Sequence, residues 1–151
     1  MSEYATDLLA DLIRAKRSCL GQLRDLGRRQ LEFIEEGEMS ALLDLLATKQ
    51  QVIASLQKLE RALTPFRGED PEQRVWRSAD ARRSCADDLG QCETLLSEIL
   101  SQEKCSEGAL ERRRDASAAQ LQGIHVASQA RRAYTTSISG TSAGLDLTCE
   151  D

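Results

Sequence analysis

Between residues 39 and 66 the apolar side chains Leu42, Leu45, Val52, Leu56, Leu59, Leu63 and Phe66 recur at alternating steps of three and four, with Lys49 the one polar member of the series. At 3.6 residues per turn such positions fall on one face, so the segment reads as a helix with a continuous seam. Met39, Leu43, Leu46 and Ile53 add a flanking ridge, which makes the apolar face wider than a two-stranded coiled coil needs. Burial of a charge in this seam is costly, so Leu56→Asp is expected to unfold the scaffold.

Residues 6–35 repeat the pattern. Leu9, Leu12, Cys19, Leu23, Leu26 and Phe33 mark one seam, interrupted by Lys16 and Gln30, and Ile13, Leu20, Leu31 and Ile34 mark a second. Gly37, within Glu-Glu-Gly-Glu-Met-Ser, punctuates the two segments. Two amphipathic helices of similar length joined by so short a turn pack most simply as an antiparallel hairpin. Pro65 and the polar run from Arg67 to Pro71 end the second helix.

Asp70 followed by Pro71 and Glu72 has the chemistry of a helix start, and it predicts a third helix from Pro71. No proline follows Pro71. Val75, Ala79, Ala86, Leu89, Leu96, Ile99 and Leu110 carry the pattern forward, and Ala118, Leu121, Ile124 and Ala127 continue it toward Tyr134. Unbroken, this helix would run about 95 Å at 1.5 Å per residue, so two helices half as long cannot cover it. Its second half is weakly apolar, with Leu110 and Leu121 the large residues between Glu103 and Gln122, and Gly90 and Gly108 are possible bends. From Thr135 to Asp151 the chain is rich in Ser, Thr and Gly and has no basic residue, which reads as a flexible tail. The expectation is an all-α protein: a helical hairpin packed on one long C-terminal helix over residues 1–134, and a disordered tail over residues 135–151.

Composition narrows the function. The 151 residues carry 20 Lys and Arg against 25 Asp and Glu, a formal net charge of −5 that looks spread over the chain. A run of phosphates therefore finds no basic domain, and nucleic acid is not an expected partner. No stretch reaches the roughly 18 apolar residues of a membrane span, and the first ten residues lack the basic and apolar regions of a signal peptide, so a cytoplasmic protein is expected. Cys19, Cys85, Cys92, Cys105 and Cys149 include no Cys-x-x-Cys pair and read as small seam residues rather than a disulfide framework or zinc site.

Catalysis and cofactor binding find little purchase. The single His125 has no second ligand within helical reach, and Glu32, Glu35, Glu36 and Glu38 lack the spaced loop ligands of a calcium site. We expect no enzyme activity, no metal and no cofactor. Arg112, Arg113 and Arg114, flanked by Glu107, Glu111 and Asp115, read as a solvated face or as a docking stripe for an acidic segment, with Gly144-Leu-Asp-Leu147 a second short contact. Leu110, Leu121, Ile124 and Val126 would be exposed apolar positions on an uncovered helix. Self-association as a coiled coil, including a homodimer, and capture of a partner's amphipathic helix both fit that pattern.

The block from Leu42 to Leu63 (LLDLLATKQQVIASLQKLERAL), followed by a Pro-containing linker, a long helix and a Ser/Gly-rich tail after Ala133-Tyr134, resembles the FlgN-type flagellar export chaperones. The resemblance covers most of the chain. It implies a cytoplasmic, non-enzymatic chaperone that binds the C-terminal helices of hook-filament junction proteins and brings them to the type III export gate. By the same resemblance Leu110, Leu121, Ile124, Ala127 and Ala130 would contact the substrate protein, and Tyr134 the export gate. The five cysteines and the triple arginine depart from that family's pattern. A structural coiled-coil adaptor is the alternative.

Overall fold

The computed structural model describes residues 4–148, and their side chains as far as residue 136. Three α-helices, α1 (Ala5–Glu36), α2 (Met39–Arg67) and α3 (Ala79–Thr148), and one short 3-10 turn (Pro71–Gln73) make up the fold, and no strand occurs among the described residues. The chain divides into two units, Met1–Leu110 and Glu111–Asp151.

The first unit is a three-helix bundle whose hairpin is set by one glycine. Gly37 adopts the left-handed conformation, with φ 76°. This lets the Gly37 N–H donate to Ile34 O at 3.3 Å and the Glu38 N–H to Phe33 O at 2.9 Å, so the last carbonyls of α1 are satisfied and α2 begins at once. α3 runs parallel to α1, because their polar contacts climb both helices together. Arg77 meets Asp7 at 2.6 Å, Arg17 meets Asp88 at 2.7 Å, and the Gln102 amide donates to Arg24 O at 3.1 Å. The interhelical order is thus up, down, up, as the hairpin expectation required.

The third helix starts later than the sequence suggests. Asp70 does act as a cap, accepting from the Glu72 N–H at 3.0 Å, but it caps only the 3-10 turn. Arg74 is then extended, with φ −73° and ψ 135°, and the Thr6 hydroxyl donates to Val75 O at 2.7 Å. A chain leaving α2 must cross the end of the bundle before running parallel to α1, and extended backbone covers that distance with fewer residues than a helix. Ser78 is the working cap of α3, its hydroxyl accepting from the Ala81 N–H at 3.0 Å. At the other end the α3 backbone enters the segment expected as a tail and is helical to Thr148, since no proline interrupts it; Cys149 and the two residues after it lie outside the described residues.

Leu9, Ile13, Leu20 and Leu23 of α1, Leu63 and Phe66 of α2, and Cys85, Cys92, Leu95 and Ile99 of α3 form the main core. Each buried Leu or Ile contributes about 1.5–3 kcal/mol relative to its exposed state. Ile34, Leu42 and Ala109 form a second cluster. Polar layers occupy the positions that interrupt the seams. Lys49 is buried and donates to Gln30 Oε1 at 2.9 Å and to the Glu103 carboxylate. Lys16 lies 2.7 Å from Glu60, which also receives Arg67. A helix that slips by one turn leaves these groups without their partners, so the layers fix register.

Burial pushes the Glu60 carboxyl up, yet hydrogen bonding and charge from Lys16 and Arg67 outweigh it and hold the group below its ordinary value of 4.5. A carboxyl lowered in the folded state adds stability above its unfolded pKa and loses it as pH falls through the folded value. The melting temperature is therefore expected to decline below about pH 4.5. Glu60→Gln should flatten that part of the profile while costing about 1 kcal/mol or less at neutral pH, as thermal melts across pH 3–7 would measure.

Candidate functional site

The inward face of α3 in the first unit is not the one its leucines suggest. Cys85, Asp88, Cys92, Leu95, Ile99, Gln102, Ser106 and Ala109 alternate by three and four and point into the bundle. Small residues at these positions let α3 approach closely. At Gly27 of α1 an added Cβ would lie 2.4 Å from Gln102 Oε1, so the Gln102 amide would have to move aside. Burial pushes both the Cys85 and Cys92 thiols up, Asp88 adding to the effect at Cys85, so they remain protonated packing groups. Cys92 donates weakly to Ile13 O at 3.8 Å.

As a result Leu89 and Leu96, which the sequence pattern counted toward the seam, are 44% and 45% exposed, and Leu100 beside them is 60% exposed. Leu110, the last residue of the first unit, is 40% exposed. These side chains line the solvent edge of α3 rather than its packed face.

The second unit is described by its own helical surface. Leu121, Ile124 and Tyr134 are 67%, 66% and 70% exposed, and Ala127 and Ala130 are exposed too. Ile124 and Ala127 come together in a shallow depression completed by Gln120, Gly123, Ser128 and Arg131. No atom lies within 4 Å of where a Cβ on Gly123 would stand, so the depression is open on that side. Leu121 adjoins Ile124 one helical step away, while Ala127, Ala130 and Tyr134 recur at steps of three and four along the neighbouring stripe. The expected site residues of this unit therefore spread over about half the circumference of the helix rather than along one narrow line.

The sequence pattern singled out Arg112 to Arg114 on this surface but not Arg131 and Arg132. Arg112, Arg113, Arg114, Arg131 and Arg132 stand against Glu111 and Asp115 in the part with described side chains, so the net charge of −5 is not evenly laid out. Arg114 pairs with Asp115 at 3.5 Å, and Arg131 and Arg132 enter no ion pair among the described residues. Apolar side chains bordered by cations suit an amphipathic, acidic helix.

Other candidates carry less. No group of three or more metal-ligating side chains occurs among the described residues, where His125 and the Glu32 to Glu38 cluster stand exposed. An apolar cleft at the end of the bundle, lined in part by Leu9, Phe66, Trp76 and Leu89, has Lys16, Arg67, Arg74 and Arg82 at its walls, and Glu60, Glu69 and Glu72 already pair with those cations. No helix of the described residues is long and apolar enough to cross a membrane.

Comparison with known proteins finds no matching family model, no matching curated protein and no matching solved structure.

Proposed function

We propose that this chain is a non-enzymatic export chaperone of the FlgN type, which binds the C-terminal helices of flagellar hook-filament junction proteins in the cytoplasm and hands them to the type III export gate. The observation that carries the reading is the exposed surface of Leu121, Ile124 and Ala127, where a small residue next to two large apolar ones leaves room for another helix at short distance. Exposed apolar surface of this kind marks interaction sites in soluble proteins. The division of labour follows from the two units. The bundle supplies a stable scaffold, and the second unit offers client surface, with Tyr134 at 70% exposure available to the export gate. Binding by apolar contact and charge needs neither nucleotide nor metal.

Titration of the purified chain with synthetic C-terminal helical segments of hook-filament junction proteins tests the proposal. Saturable binding, with negative heat-capacity change from apolar burial, is expected. A monodisperse, helical sample that binds none of these segments would instead leave a structural coiled-coil adaptor as the reading.

A further inference from the structure

We propose that the exposed leucine face of α3 in one molecule receives the basic helix of residues 114–132 from a second copy. At 3.6 residues per turn Leu89, Glu93, Leu96, Leu100 and Glu107 fall within an arc of about 60°, all of them exposed. Lys104 lies at the edge of this arc, and neither Glu93 nor Glu107 enters an ion pair among the described residues. The face thus has Leu96 and Leu100 between two carboxylates, with Leu89 one turn beyond Glu93.

The second helix carries the complementary pattern. Leu121 and Ile124 lie between Arg114 on one side and Arg131 and Arg132 on the other, the last two without an ion pair among the described residues. From Glu93 to Glu107 the rise is about 21 Å and from Arg114 to Arg131 about 26 Å, a difference that the reach of Arg and Glu side chains absorbs. Leucine meets leucine and isoleucine at the middle, and arginine meets carboxylate at both ends. A partner with the right size, polarity and charge is therefore encoded in the same chain, and the contact joins two different surfaces rather than one surface with itself. It occupies Leu121 and Ile124, so a client helix would displace it; only this competition rests on the chaperone reading, whereas the association stands without it.

Light scattering and sedimentation of the full chain over a range of concentrations test the contact with two charge-reversed variants, Glu93→Arg with Glu107→Arg, and Arg131→Glu with Arg132→Glu. The native chain is expected to gain mass with concentration. Each variant alone should associate at least about tenfold more weakly, because like charges then face each other. An equimolar mixture should recover association, since the unaltered arginine helix of one variant then finds the unaltered leucine face of the other. All substituted residues are exposed, so circular dichroism should be unchanged. Leu100→Glu, at a side chain 60% exposed, should weaken association without any change at the arginines. A native chain that stays monomeric up to about 1 mM, association that persists in either variant, or a mixture that fails to recover would overturn the proposal. Competition is read separately: a client segment that binds without lowering the mass refutes displacement alone.

Discussion

Leu20→Asp is expected to abolish the cooperative thermal transition of this protein. Leu20 is 1% exposed and belongs to the main core with Ile13, Leu63, Cys92 and Ile99. The substitution removes a packed apolar side chain and puts a carboxylate among the apolar side chains of the core. Loss of packing costs about 2–5 kcal/mol, and the buried charge or its forced protonation adds several more, which is comparable to the whole stability of a domain. Circular dichroism should then show reduced helicity at 25 °C and no sharp melt. By contrast Leu56 is only half-buried against the same core, so the Leu56→Asp carboxylate reaches water. Its cost should be about 1 kcal/mol, a few degrees in melting temperature, and not the unfolding that the seam pattern implied.

The second large effect lies in binding. Leu121→Asp combined with Ile124→Asp should leave the melting temperature almost unchanged, since both side chains are about two-thirds exposed. Surface substitutions of this kind stay within roughly 0.5 kcal/mol of the parent. Affinity for the C-terminal segments of junction proteins should fall by about a hundredfold or more, because the two side chains supply most of the large apolar contact in this region and the new carboxylates would face an acidic client. Calorimetric titration beside a thermal melt separates the two outcomes. Equal loss of stability and binding would place Leu121 and Ile124 in the scaffold instead.

Much of the architecture was legible in the three-four rhythm. The α2 seam of Leu42, Leu45, Lys49, Leu63 and Phe66 is buried, and the α1 interior combines members of both of its apolar stripes, Leu9 and Leu23 with Ile13, Leu20 and Ile34. The polar interruptions at Gln30 and Lys49 also kept their meaning, since they meet in one layer with Glu103. What the pattern hid was the orientation of α3. Its interior heptad is built from Cys, Asp, Gln, Ser and Ala around Leu95 and Ile99, and residues so small or polar carry almost no hydropathy signal. The leucines at 89 and 96 carried the expected periodicity while standing on the solvent edge.

The start of α3 was misread for a related reason. Asp70, Pro71 and Glu72 form a genuine cap, but the crossing over the bundle end takes precedence over local propensity. For the candidate site, exposure of Leu121, Ile124 and Val126 followed from the shortage of covering helices, whereas the line-up of Arg131 and Arg132 beside them needed the helical surface before it became visible.

Hydrogen exchange of the free and client-bound chain tests the central claim most directly, that a stable bundle carries a binding helix. In the free protein, diluted until it is monomeric, amides of Leu42 to Leu63 should be strongly protected and those of residues 111–134 should exchange fast. On saturation with a junction-protein segment, protection should rise across residues 111–134 and stay constant in α2. A rise in protection on client binding that is confined to the first unit, or no change in residues 111–134 despite saturable binding, would contradict the account.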